Sequence, residues 1–542
     1  MRSTFSTAVL LLVLWSTECS ALLEYRCIHD KITREWDKKN STAYILPLTS
    51  GDQKGADAAG DAFAPIRIKV FSEDINNASR YCTSEGQSRP TFKDTSLATC
   101  SSHDILTSAK KDILLNYLIP SAIQLHAERL LVVPLQGAVK ITRDILVGNP
   151  CSLFSIPPEH FTTGATDGDM FIYAAAGPTN LPEVAWIFRC FFSEIYERPL
   201  VGAMNISPHH ASRGHFYIRT VAHELRTHLD SLIVYLYVWN SRDQLSIRGK
   251  SYISYVTSPM TRERAQQHYN CSTAIGMELE DEGGTGTALS HWKRRNAKDE
   301  LMAGITGAGY YTALTMAAFE DLDFYRANWG KEEVMEWGRD ASCDFLTEKC
   351  ITKGVTAHPD MFCTEKLSTL TCTSDRQNLG VCNIKKYDSI LPEEFQYFKD
   401  PSVGTEHDVL MDFCPYITPR SDTGCMDGRL KHMPGSVVGP AARCVKGSSL
   451  VYYGKPIGDV CVHVRCDNET LFISHYGTQE WIECPAGSQI TPSAPFSGGQ
   501  IVCPQYHEVC IPKPVDFSLT DNSIRPLFHW TSVVSIVFFV FL

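Results

Sequence analysis

His223-Glu224-Leu225-Arg226-Thr227-His228 places a histidine and a glutamate side by side in a largely apolar stretch. If a second histidine followed at i+4, both imidazoles would share one helix face and hold one tetrahedral zinc. The glutamate would then serve as general base for hydrolysis by a metal-activated water. Here i+4 is Thr227, and the next histidine, His228, stands at i+5. At about 100° per residue, that position lies about 140° around the helix from His223. Three arrangements would complete the set: a π-bulge that swings His228 round, a metal-held water on Thr227, or Asp230 at i+7. Asp230 shares the face of His223 but stands about 10 Å further along the axis. A lone His-Glu pair on an apolar helix is more often structural than catalytic, so the reading needs support from elsewhere in the chain.

That support lies downstream. His291 is followed eleven residues later by Met302, within a polar turn. A distant third histidine and a methionine beneath the metal resemble the metzincin arrangement, here with a long insert before the third ligand.

These residues need a scaffold. Pro65 to Phe71 alternates apolar and polar residues and is expected to form a strand. Ser102 to Leu131 carries a helical stripe at Ile105, Ala109, Ile113, Leu114, Leu118 and Ile119, with a kink or restart expected at Pro120. Met170–Tyr173 and Leu200–Met204 read as short strands, the second leading into the helix of His223. Residues 22–61 are polar, rich in Lys, Asp, Gly and Ala, and have little periodic pattern.

The chain has 542 residues, 44% hydrophobic and 20% charged, enough for a large core and two or three domains. Its net charge of −11 argues against nucleic acid as a partner. Arg2, the apolar Ala8–Trp15 and the small residues Cys19-Ser20-Ala21 make a secretory signal over residues 1–21. The last eleven residues, Ser532 to Leu542, are apolar but too few to span a bilayer, which takes about 20. Asp521-Asn522-Ser523 and an eight-residue spacer precede them, the order of a GPI-anchor signal. Sequons at Asn40, Asn77, Asn205, Asn270 and Asn468 are expected glycosylation sites of a secreted glycoprotein.

Twenty cysteines in a secretory chain imply disulfides. Cys19 leaves with the signal. Cys27, separated by 54 residues from Cys82, is the natural odd thiol, and the eighteen that remain allow nine bridges. Thirteen of those eighteen fall between Cys343 and Cys510, so the C-terminal third reads as a stapled, loop-rich module.

Longer stretches carry a family resemblance over nearly the whole chain. They are Arg26-Cys27-Ile28-His29-Asp30, Asp104–Thr107, Gln124-Leu125-His126, Val221–Glu224, Asn296–Met302 (NAKDELM) and Gly309–Asp321. In these the chain resembles the leishmanolysin family, surface zinc endopeptidases of trypanosomatids and zymogens of metzincin type. The resemblance implies one Zn2+, with His223 and His291 as ligands, Glu224 as general base and Met302 as the Met-turn. It implies Cys27 as a cysteine switch that caps the metal. Thr227 then stands where the family has its second histidine, Asp230 where it has a glycine, and Ser231 where it has an apolar residue. The implied partners are protein or peptide substrates, host surface or matrix proteins in cell adhesion, and a membrane through a lipid anchor.

The implied fold is α+β. A metzincin-like catalytic subdomain (62–231) has a mixed twisted sheet and the active-site helix. A central subdomain (232–342) brings the third histidine and Met-turn, and a disulfide-rich β and loop subdomain (343–521) follows. Residues 22–61 would be a pro-segment and 522–542 the anchor signal. Two functions stay open on the residues: an active surface metalloprotease, or a catalytically impaired surface glycoprotein acting in adhesion or ligand binding.

Overall fold

The computed structural model describes residues 63–510, apart from 180–182, 194–197, 230–237, 241–246, 306 and 407. The signal stretch, Cys27, Asn40, Asp230 and the apolar tail lie outside the described residues.

The first elements are β1 (Ala64–Pro65), β2 (Ile68–Phe71), α1 (Ser108–Ile113), α2 (Ile119–Ala127) and β3 (Leu130–Val132). After them come β4 (Met170–Ala175), β5 (Ala185–Ser193), β6 (Arg198–Ile206) and α3 (His215–Leu229). A four-stranded sheet runs β2-β4-β6-β5, with β2, β4 and β6 parallel and β5 antiparallel at the edge. The strand β5, AWIFRCFFS, is absent from the sequence reading. It is a nearly continuous apolar run, and such runs lack the alternation that marks a half-exposed strand.

The pleat explains why. Met170, Ile172 and Ala174 enter the larger core with Ile187 and Met204, whereas Phe171, Tyr173 and Ala175 enter a second core with Trp186, Phe188 and Ala203. Both faces are therefore buried, and every position of β4 and β6 is covered. On the larger core lies α3, through Ile218, Val221, Ala222, Leu225 and Leu229, all fully or almost fully buried. That spacing is one helical stripe, and each of its larger side chains, Ile218, Val221, Leu225 and Leu229, contributes about 1.5–3 kcal/mol on burial.

The long helix expected over 102–131 is broken up. Ser102–Asp104 is a single 3-10 turn, and α1 starts only after Thr107, whose side chain accepts from Lys110 N at 3.2 Å. A π-helical turn, Leu114–Leu118, separates α1 from α2. Pro120 has no N–H and its ring crowds the carbonyl four residues back, so the turn ahead of it widens. The chain leaves the helix after Ala127, and Leu130–Val132 pairs with β1 as a strand.

In the middle of the chain, β7 (Ser254–Val256) pairs antiparallel with β8 (Met277–Glu278), with α4 (Pro259–Tyr269) between them and α5 (Ala313–Glu320) following. The larger core continues through Trp292, Met302 and Tyr311 to Phe362, Met411 and Tyr416. Further on, β9 (Ala442–Tyr452), β10 (Val460–Asp467), β11 (Thr470–Ser474) and β12 (Phe496–Val502) form an antiparallel sheet over its own core of Val445, Val462, Ile473 and Ile501. The fold is thus α+β, with sheets, few helices and many bridges.

All eighteen cysteines from Cys82 to Cys510 are paired, in nine disulfides. Cys271–Cys343 and Cys372–Cys444 each join residues 72 apart, and a loop of that length restricts the unfolded chain by about 4 kcal/mol in the entropic account. Asn77, Asn270 and Asn468 are exposed. Asn205 corrects the sequon reading. It is fully buried in β6, and its Oδ1 accepts from Gly177 N at 2.7 Å, which leaves no room for a glycan. Among the described residues no helix is long and apolar enough to cross a membrane.

A buried ion pair holds α3 to the middle of the chain. Arg219 donates to both oxygens of Glu333, at 2.5 and 2.7 Å, and to Gly309 O at 3.0 Å. Tyr311 N donates to the same carboxylate at 2.8 Å, and Arg129 stands 3.5 Å away. Burial alone would push the Glu333 carboxyl up, but Arg219, Arg129 and the Tyr311 N–H together bring it down to about 2. A carboxylate lowered in the folded state stabilises above its ordinary pKa of 4.5 and loses that contribution as pH falls toward 2. Glu333→Gln should therefore cost about 3–5 kcal/mol at neutral pH, because Arg219 stays buried without its counter-charge. Urea titrations of both proteins should show that gap narrowing from pH 4.5 to pH 2. Equal stability at neutral pH would refute the role given to this pair.

Candidate metal centre

The helix α3 and the segment 287–302 bring His223 and His291 together. Both are buried, and their Nε2 atoms lie 3.2 Å apart with the rings nearly parallel, at 17°. The outer nitrogens face backbone. His223 Nδ1 meets Leu301 O at 2.6 Å, and His291 Nδ1 meets Thr287 O at 3.1 Å and Ser290 Oγ at 2.8 Å. Donation from Nδ1 to a carbonyl leaves the Nε2 lone pair turned inward, the tautomer a metal-binding imidazole takes.

Two such lone pairs facing each other repel unless something cationic or a proton lies between them. Metal–nitrogen bonds of about 2.0–2.1 Å in a tetrahedral set put two ligand nitrogens about 3.3–3.4 Å apart. The observed 3.2 Å fits that separation closely. The two histidines thus suit adjacent positions on one metal ion. Glu224, next to His223 and fully buried, is at the same end of α3.

Position 227 does not add a third nitrogen. Thr227 Oγ1 donates to Glu224 O at 2.7 Å, the local back-bond threonine makes within helices. The bulge that would bring His228 round is not there: α3 is regular α-helix from His215 to Leu229, and the π turn among the described residues is at Leu114–Leu118. On a regular helix position 228 stays about 140° from position 223. The side chain of His228 and all of Asp230 are outside the described residues. Arg226, buried one position before Thr227, sets its guanidinium 6.0 Å over Trp292 and 5.5 Å over Phe319.

Met302 is fully buried. Its carbonyl accepts from Trp292 N at 3.0 Å and its N–H donates to Glu300 Oε2 at 2.5 Å, which ties the turn to the residue after His291. Glu300 also accepts from Thr312 Oγ1 at 2.9 Å and Thr315 Oγ1 at 2.7 Å. Burial pushes its carboxyl up, against these donors.

His291 is held from the other side as well. Glu280 N donates to His291 O at 2.8 Å, and Arg294 N donates to the Glu280 carboxylate at 3.0 Å. Lys293, completely buried, has Glu280, Asp281 and Asp412 each at 2.6 Å. Burial lowers the Lys293 ammonium, and the three carboxylates more than offset it.

The residues that orient the histidines are the part sequence reasoning missed. Leu301 and Thr287 act through main-chain oxygens, which leave no mark on residue type. Ser290 and Glu300 flank His291 and Met302 closely enough that proximity in sequence was an available signal.

The comparisons with known proteins bear on this geometry. The leishmanolysin peptidase family matches residues 23–515. The chain is 36% identical over 538 residues to leishmanolysin of Leishmania major, covering 90% of this chain and 87% of the relative. It is 37% identical over 484 residues to a leishmanolysin homolog of Crithidia fasciculata, covering 84% and 73%. A leishmanolysin-like peptidase of Caenorhabditis elegans is 24% identical over 449 residues, covering 64% and 66%. With a histidine pair set for one metal, a buried glutamate beside it and a match along almost all its length, the chain belongs to the leishmanolysin family of metallopeptidases.

Proposed function

We propose that this chain is a cell-surface zinc endopeptidase whose metal centre is short of one protein ligand. The observation that carries this is the 3.2 Å approach of His223 Nε2 and His291 Nε2, each ring aimed by a carbonyl on its far side. His223 and His291 would hold the zinc. Bound there, it supplies Lewis-acid polarisation of a peptide carbonyl and of water. Glu224 accepts the proton of the attacking water and passes it to the leaving amine. Met302 and Glu300 keep the floor of the site in place. The nine bridges among the described residues take every cysteine from Cys82 to Cys510, which leaves Cys27, beyond the signal, as the thiolate that would cap the metal in the zymogen.

Two histidines without a third ligand bind zinc weakly. Restoring the ligand with Thr227→His should tighten zinc binding beyond the roughly 10–100-fold cost typical of a second-shell change. Competition against a chromophoric chelator measures it, and an unchanged affinity would remove position 227 from the site.

Thr227 Oγ1, occupied with Glu224 O, favours the second reading, a surface glycoprotein that acts in adhesion without hydrolysis. Cleavage of a mixed fluorogenic peptide library by the secreted protein separates the two. On the protease reading, activity appears as zinc is added and disappears with chelator or with Glu224→Gln. Silence of the folded wild type at saturating zinc would leave the adhesion reading.

The anchor belongs to the same proposal, resting on the Asp521–Leu542 pattern. Phosphatidylinositol-specific phospholipase should release the surface-labelled protein from cells; retention on the membrane after treatment would rule the lipid anchor out.

A further inference from the structure

Two 3-10 turns bring three further imidazoles into a row. Ser102–Asp104 carries His103, and Pro208–His210, just after β6, carries His209 and His210. The ring centres of His103 and His209 are 4.8 Å apart, those of His209 and His210 are 4.6 Å apart, and the rings meet edge to face. His103 is exposed, His209 is half-buried, and His210 is buried, its ring centre 5.8 Å from that of Tyr217 on α3. Both turns are fixed through their backbone. Lys110 Nζ donates to His103 O and to Ile105 O, each at 3.0 Å, and the Asp104 carboxylate accepts from Ser101 N at 2.9 Å. On the other turn, Ser207 N donates to Val184 O at 2.8 Å and His210 N donates to Ser207 O at 3.1 Å.

Imidazoles so placed suit a transition metal. Metal–nitrogen bonds of about 2.0–2.1 Å, at angles between square-planar and tetrahedral, put two ligand ring centres about 4.5–5.2 Å apart. The pair His223 and His291, with Nε2 atoms 3.2 Å apart, has its ring centres at 5.1 Å, so the separations in the row are of the same kind. Edge-to-face rings do not point their lone pairs at one place, but the Cβ–Cγ torsion of histidine is broad, and an exposed ring such as that of His103 turns about it at little cost. Burial, with His103 and Lys110 nearby, holds His209 below the ordinary imidazole value, and burial, with His209 and Lys110 nearby, brings His210 down to about 4. Both are therefore neutral at pH 7 and keep a lone pair, which favours a cation over an anion. Among the described residues His210 Nε2 has no hydrogen-bond partner, so a further buried nitrogen stands behind His209.

We propose that His103 and His209 together bind one divalent transition-metal ion, in a site distinct from the His223–His291 centre. Imidazole suits zinc, nickel and copper, and the order of divalent affinities makes Cu2+ the tightest of these. The ion ties the turn ahead of α1 to the turn ahead of α3, and water fills the rest of its shell.

Equilibrium dialysis of the full secreted chain against Cu2+, with the bound metal counted, tests this in wild type, His103→Gln, His209→Gln and His223→Gln. His103→Gln and His209→Gln should each weaken the same single site by about a hundredfold or more, since a direct ligand counts for more than the second-shell groups that orient it. His223→Gln should leave that site as it is. In the His223→Gln background, electron paramagnetic resonance of the bound Cu2+ should show nitrogen couplings from two imidazoles, and adding His209→Gln should remove them. Wild-type Cu2+ binding in both His103→Gln and His209→Gln overturns the proposal, as does loss of all Cu2+ binding in His223→Gln alone. Equal Cu2+ content in wild type and His223→Gln, with one ion lost in His209→Gln, would count against the central metal and leave this site standing.

Discussion

The centre depends on how α3 is clamped. On one side the helix buries its apolar stripe on a sheet that is itself buried on both faces. On the other, Arg219 is locked to Glu333 and Gly309, and His223 Nδ1 is bonded to Leu301 O. Arg219 and His223 are four residues apart, so both contacts lie on one face, about one turn from each other. The ion pair and the histidine contact therefore set the same thing, the rotation and depth of α3 against the segment that contains Met302. A small rotation of α3 would move His223 Nε2 away from His291 Nε2, and the paired ligand geometry would be lost.

The clamp also explains why so much charge is buried around His291. Lys293, Glu280, Asp281, Asp412 and Lys250 form a closed set of short ion pairs that holds a loop with little regular structure. Buried ion pairs add little net stability compared with well-packed apolar residues, but breaking one is costly. Such a network suits a segment that must hold one conformation without helix or strand hydrogen bonds to enforce it. The disulfides do comparable work further along the chain, where the β-sheet core of Val445 to Ile501 is small.

The Thr227 hydroxyl is satisfied by its own helix. Arg226 beside it lies over the rings of Trp292 and Phe319. The carbonyls that orient the two histidines, and the ion pairs behind them, are in place on either side of the centre. The fold divides the labour: main-chain carbonyls aim the ligands, and buried ion pairs hold the segments that carry them.

The sequence by itself determined several things about this protein. The spacing of His223, Glu224, His291 and Met302 named the chemistry. Cysteine parity set eighteen cysteines aside for nine bridges before any pairing was known, and a helix carrying His223 was expected after the strand at Leu200–Met204. Local signals were enough there because helix period, residue type and count are properties of short stretches. Tertiary structure decided the rest. The strand β5 was hidden because burial on both faces erases alternation. The expected helix over 102–131 broke up because Pro120 widens the turn before it and Leu130–Val132 finds a partner in β1. Asn205 matched a sequon, yet its side chain is sealed in β6 against Gly177. The choice of Leu301 and Thr287 to aim the two histidines was invisible as well, since every residue has a carbonyl and only the folded chain decides which one a side chain meets.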